Sequence, residues 1–241
     1  MDKRSKYILA AVAAVVLTIA AIAGYANKGE IKKGTGSSET KGGYQVTFYS
    51  DTDEPLKVEE VEDGMAAEPP VDPSVSYGNV FIKWDKDFSE VKSDMDIHPV
   101  CESFLGEKNV FALSGVYASS DGTAYTSLKL SGDVCLAGFE LTLEYDSEKL
   151  NLENVFDEDG DLVCNLEEPG KIIMNLASAS NVEGEIDLCS FKFHVKDKGS
   201  EIPLAIHVGK AVRLEEDDSM TSPDVKVIDA SVYSIAGGGD A

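Results

Sequence analysis

The chain has 241 residues, 43% hydrophobic and 27% charged, enough for one large or two modest folded units and ordinary for a globular protein. Its charge balance is less ordinary, with 44 acidic against 21 basic residues and a formal net charge of −23. Such a surface repels phosphate backbones and anionic lipid headgroups, which excludes nucleic acid as a partner and leaves a basic protein partner or simple colloidal solubility.

Lys3, Arg4 and Lys6 form a short basic lead, and no charged residue interrupts positions 8–24. This run predicts export. Its length lies between a secretory apolar region of ~7–15 residues and a spanning helix of roughly 17–25, so two outcomes stay open. Residues 1–26 are either a signal peptide, cleaved after Ala23 or Ala26, or a retained hydrophobic helix that anchors the rest of the chain outside the membrane. The segment carries three bases and one acid, so the remainder carries −25. Residues 27–43, NKGEIKKGTGSSETKGG, hold a single apolar residue, Ile31, and read as a flexible linker. The expected location is extracytoplasmic, with membrane contact through the N-terminal helix only.

From residue 44 the pattern turns to period two, the mark of strands with one buried face. Val46 and Phe48 alternate with polar neighbours, a turn-rich stretch occupies 50–55, and a strand resumes at Leu56. Prolines at 69, 70 and 73 then precede FIKWDKDFS at 81–89. The order VTF, LKVEEVEDGMAAEPP, WDKDFSEVKSDM resembles the internalin-type B-repeat (Listeria-Bacteroides repeat), a small β-grasp-like module of bacterial surface proteins. The resemblance covers 44–102 and implies a spacer, and Lys83 departs from the glycine usual in the family; Trp84 is read as a core anchor rather than a binding aromatic.

The second unit, 108–236, is strand after strand: 110–117, 123–130, 139–145, 150–156, 162–166, 171–177, 186–195, 202–208 and 225–233. In 139–145 the alternation is complete. Phe139, Leu141, Leu143 and Tyr145 share one face, and Glu140, Thr142 and Glu144 the other. Short strands parted by Gly, Asp, Asn and Ser turns predict an all-β sandwich or jelly roll.

Chemistry is sparse. His98, His194 and His207 fit no HExxH spacing, and neither GxSxG nor a phosphate-binding loop occurs, so no catalytic residue and no enzyme activity are assigned. Cys101, Cys135, Cys164 and Cys189 form no CxxC, which argues against structural zinc and leaves disulfides and buried thiols both open. Asp157, Asp159, Asp161 and Glu168 fall at positions 1, 3, 5 and 12 of a calcium-loop pattern, but Leu162 replaces the required glycine, so the string is taken as an acidic turn. No metal and no cofactor are expected.

The stretch AGFELTLEYDSEKLNLENV, then GKIIMNLASASNVEGEIDLCSFKFHVKDKGSEIPLAI and the closing VKVIDASVYSI, resembles a cohesin domain over nearly the whole second unit. That likeness implies a jelly-roll module whose flat sheet face binds dockerin, a small calcium-loaded helical module of secreted proteins, in polysaccharide-degrading assemblies. It implies a contact face drawn from Gly138, Glu140, Thr142, Glu144, Glu167, Met174, Leu176 and Ala179, with Glu140 where family members commonly carry a dockerin-bonding carboxylate. The alternative reading is an adhesin-like sandwich that binds polysaccharide.

Overall fold

The structure, a computed structural model, describes residues 43–157 and 159–235. The expected signal or anchor at 1–26 and almost all of the linker lie outside them, and no helix among the described residues is long and apolar enough to cross a membrane.

The first module is built from five strands. β1 (Tyr44–Tyr49) pairs antiparallel with β2 (Pro55–Val61) and parallel with β4 (Met95–Ile97), while β3 (Asn79–Trp84) pairs antiparallel with β5 (Pro99–Ser103). The module's described residues contain no helix, and its segment 65–78 has no regular structure apart from turns. Inward residues of β1 and β3 meet in an aromatic cluster. Trp84 lies 5.1 Å from both Phe48 and Phe81, edge to face, and Phe88 lies 5.2 Å from Phe48, geometry that adds quadrupolar attraction to burial.

The second unit folds into two packed sheets. β6 (Val110–Leu113), β8 (Thr123–Ser131), β10 (Leu150–Phe156), β13 (Ile186–Val195) and β16 (Lys226–Ile228) form a five-stranded sheet in the order β10-β13-β8-β6-β16. β7 (Val116–Tyr117), β9 (Cys135–Tyr145), β11 (Val163–Asn165), β12 (Lys171–Glu183), β14 (Glu201–Leu214) and β17 (Ala230–Tyr233) form the other, ordered β11-β12-β9-β14-β17-β7, with β15 (Met220–Thr221) beside β14. The inner faces interdigitate through Phe111 on Phe139 and Tyr145 on Phe193, both at 5.1 Å, and leave Leu128, Leu141, Leu143, Phe191 and Phe193 without solvent contact. Each such side chain contributes about 1.5–3 kcal/mol relative to exposure.

Two of the expected strands are divided because the chain changes sheets within them. Between β6 and β7 the Gly115 N–H leaves the sandwich and donates to Phe81 O of the first module at 2.7 Å. Between β16 and β17 the Asp229 carboxylate accepts the Ile206 N–H at 2.8 Å, which fixes the crossing point. All four cysteines are free thiols.

The main core of the sandwich draws on no residue before Phe111, and the aromatic cluster of the first module is separate from it. A third cluster joins them: Val80 and Phe104 pack on Val110, Ala112 and Ile228. β6 is therefore buried on both faces, which accounts for its continuous apolar run VFAL. Tyr117 adds to the joint, its hydroxyl accepting the Trp84 N–H at 3.3 Å and its ring stacked 4.7 Å from Tyr233. Because the sandwich core is self-contained, residues 108–236 alone are expected to melt cooperatively, at a lower temperature than the whole chain for want of cover on Val110 and Ala112. Differential scanning calorimetry of that fragment checks this, and a fragment without a cooperative transition would contradict it.

Candidate partner-binding face

The outer side of β11, β12, β9 and β14 presents rows of residues set by strand register. Asn175 of β12 lies opposite Glu140, and Lys210 of β14 flanks Glu140 on its other side. The next row joins Asn165, Ile173, Thr142 and His207, and the third Lys171, Glu144 and Ala205. Val163 sits beside Asn175 at the sheet edge and is 69% exposed, so that with half-buried Ile173 it adds apolar surface to a mainly polar face.

The two carboxylates of β9 are held differently. Glu144 lies 3.3 Å from His207 Nε2 and 3.9 Å from Lys171 Nζ, at exposures where each pair is worth at most about 1 kcal/mol. Glu140 has no cation within ion-pair distance among the described residues, and its side chain lies over Gly209, where an added Cβ would come 2.6 Å from Oε1. The bulge between Val208 and Lys210 removes a side chain there and lets the carboxylate rest against backbone while facing solvent.

Five of the eight expected contact residues take accessible positions. Glu140 and Glu144 are exposed, Thr142 is half-buried between them, Glu167 is exposed in the turn before β12, and Ala179 is exposed where the β12 register shifts between Ala177 and Val182. The other three need correction. Met174 pairs with inward-facing Leu141, is fully buried, and rests 4.0 Å from the Cys189 sulfur, so it belongs to the core. Leu176 pairs with inward-facing Phe139 and packs on the same core. Gly138 is buried, and a Cβ there would meet Leu176 O at 2.7 Å, so it serves close strand approach. Alternation with Ile202, Leu204, Ile206 and Val208 already puts His207 on a polar face, and register sets it beside Thr142. Asn175, Ile173, Lys210 and Val163 are the face residues that period-two reasoning missed, because only cross-strand register places them.

Among the described residues, the carboxylates with shifted pKa values lie in separate turns and loops and are held by neighbouring hydrogen-bond donors. Burial pulls the Asp51 carboxyl upward, but hydrogen bonds from the Ser76 N–H, the Asn79 amide and the Ser76 hydroxyl outweigh it and hold the pKa below the ordinary value. The Ser89 N–H lowers Asp87, the Ser119 hydroxyl brings Asp121 down to about 2, and the Ser219 hydroxyl lowers Asp217. These shifts run opposite to those of a general acid near neutral pH. Burial pushes the thiols of Cys101 to about 11 and Cys189 to about 12, which removes them as nucleophiles.

Among the described residues no three His, Cys, Asp or Glu side chains gather as a metal site. Asp157 spends both oxygens on its own turn, accepting the Gly160 N–H at 3.0 Å and the Leu162 N–H at 2.8 Å. Addition of a chelator is accordingly expected to leave the melting temperature unchanged, and a fall of several degrees would show that the 157–168 turn holds calcium.

Fold and face together define a two-sheet β-sandwich with one open, mixed-polarity sheet face and an attached all-strand module. No family model matches the chain, and no curated protein sequence matches it. Among solved structures, the seventh ScaB type I cohesin of Pseudobacteroides cellulosolvens is similar at 20% identity and a TM-score of 0.49, over 55% of this chain and 95% of that one. The non-cellulosomal cohesin of Archaeoglobus fulgidus is similar at 17% identity and a TM-score of 0.44, over 53% and 91%. The sixth cohesin of Acetivibrio cellulolyticus scaffoldin B, solved in complex with a Cel5 dockerin mutant, is similar at 17% identity and a TM-score of 0.43, over 52% and 96%.

Proposed function

We propose that this chain is a non-catalytic, extracytoplasmic receptor whose outer β11-β12-β9-β14 face captures dockerin-bearing proteins, with 44–102 a B-repeat-type spacer and 1–26 the export signal or membrane anchor. The observation that carries the reading is the row of exposed Glu140 and Lys210 with half-buried Asn175, flanked by apolar Val163 and half-buried Ile173. A carboxylate with no ion pair of its own, beside apolar surface on a rigid sheet, can exchange water for a partner's donors without first breaking a bridge. The cohesin-like order of the sequence motifs supplies the class of partner.

Titration calorimetry of the chain against calcium-loaded dockerin modules from its source organism tests the proposal. Saturable binding to at least one dockerin is the expected result. Absence of heat with all of them, alongside retention on insoluble polysaccharide, would move the chain to the adhesin class.

A further inference from the structure

The two-stranded sheet of β3 and β5 covers only part of the outer face of the five-stranded sheet. Beside it runs a groove of about 260 Å³, floored by Ala112, Ser114 and Ser127 and walled by Tyr77 and Phe104 on one side and Lys129 with Glu185 on the other. Neither module has this groove by itself, since the floor belongs to β6 and β8 and the aromatic wall to residues of the first module.

The aromatic wall is preorganised. Tyr77 is 75% exposed, yet both chain neighbours are fastened. The Ser76 N–H and hydroxyl donate to Asp51 at 2.7 and 2.9 Å, and Gly78 O accepts the Phe104 N–H at 2.8 Å and the Ser103 hydroxyl at 3.1 Å. Phe104 braces the Tyr77 ring edge-on at 6.1 Å. On the floor, the hydroxyls of Ser114 and Ser127 have no protein hydrogen-bond partner among the described residues, although their carbonyls accept the Thr126 hydroxyl and the Ser114 N–H. On the far wall, Lys129 stands 3.0 Å from Asp187 and 3.7 Å from Glu185, placing donors and acceptors side by side.

We infer that this groove binds a neutral glycan, with one pyranose ring stacked on Tyr77 and its hydroxyls bonded to Ser114, Ser127 and the Lys129–Glu185 pair. A tyrosine ring offers an apolar face to the C–H side of a sugar at little conformational cost. Free hydroxyls and paired charges suit polyhydroxylated ligands, which donate and accept at the same atom. The volume falls below the ~300 Å³ of a typical drug-sized site, so one ring is held and neighbouring units run along the open groove. The net charge of −23 disfavours anionic glycans. An extended peptide fits less well, because the floor strands β6 and β8 are each paired on both sides and have no free ladder bonds to offer.

This site lies on the opposite sheet from the dockerin face, so the two readings stand or fall separately. The test is titration of the full chain with neutral soluble β-1,4-linked hexasaccharides of glucose, mannose and xylose. At least one is expected to bind saturably with Kd on the order of 1 mM or tighter. Tyr77→Ala and Ser127→Gln, both at accessible positions, should each weaken it at least tenfold, while Tyr125→Ala, an exposed aromatic on the same sheet beyond the groove, should leave it unchanged. Lack of saturation with every sugar up to about 10 mM, or equal affinity in the Tyr77→Ala and Ser127→Gln proteins, overturns the inference.

Discussion

Replacing Gly115 with valine is expected to lower the melting temperature of the whole chain by roughly 6–12 °C, reflecting a loss of about 3 kcal/mol at the 2–4 °C per kcal/mol typical of units this size. A Cβ at position 115 would stand 1.9 Å from Ile82 O and 2.7 Å from the Ile82 carbonyl carbon, far inside contact distance and against backbone rather than a movable side chain. β3 cannot retreat easily, because it is paired with β5 and its Phe81 carbonyl accepts the Gly115 N–H. Relief requires parting the modules and wetting Val80, Phe104, Val110, Ala112 and Ile228. The chain's single tryptophan, Trp84, allows the effect to be located, since its fluorescence follows the first module while far-ultraviolet dichroism follows mainly the sandwich. In the variant the fluorescence transition should precede the dichroism transition. Gly64→Ala is the comparison: open space surrounds that residue and only its φ of +80° opposes a side chain, so about 1 kcal/mol is expected. A Gly115→Val melt within a degree of the parent would show that the joint is energetically idle.

The limits of sequence reasoning follow from where structure is decided. β10 and β13 occupy 150–156 and 186–195, the very spans that alternation predicts, because both faces of each strand are set by its own residues. β9 begins at Cys135, four residues earlier than alternation suggests, and β12 runs on through the polar stretch 178–181 to Glu183. There Asn181 replaces apolar patterning with two side-chain bonds to the Leu214 backbone, at 2.8 and 2.9 Å. The breaks at Gly115 and Asp229 depend on partners 34 and 23 residues away in sequence, which no local window contains.

The face was half legible for the same reason. Glu140, Thr142 and Glu144 announce their direction, since each lies between inward apolar residues of its own strand. In β12 the run Ile172, Ile173, Met174 leaves the phase ambiguous, and only pairing with β9 shows that Ile172 and Met174 turn inward and Ile173 outward. The Tyr77 groove was beyond reach altogether, because its two walls and its floor come from segments that the sequence keeps apart.

Glu140→Lys is expected to weaken dockerin capture at least tenfold, about 1.4 kcal/mol, without lowering the melting temperature. The carboxylate extends from a strand whose neighbours Phe139 and Leu141 are buried, so the exchange alters the surface and leaves the core untouched. Lysine there would stand across the ladder from Lys210, turning a mixed patch into a cationic one at the centre of the proposed contact. A rim charge would change chiefly association rate and salt dependence, whereas a charge desolvated on docking changes dissociation and costs roughly 2–5 kcal/mol when its partner is left unpaired. Raising the salt concentration therefore separates the two cases: the tenfold loss should persist at high ionic strength, where contributions from exposed charges fade within a Debye length of a few ångströms. Lys192→Glu serves as the control, because Lys192 lies on the opposite sheet in an exposed pair with Glu153 at 2.7 Å. Equal calorimetric affinity of the Glu140→Lys and parent chains for a dockerin that binds the parent would mean that the partner docks elsewhere than on the outer face of β9.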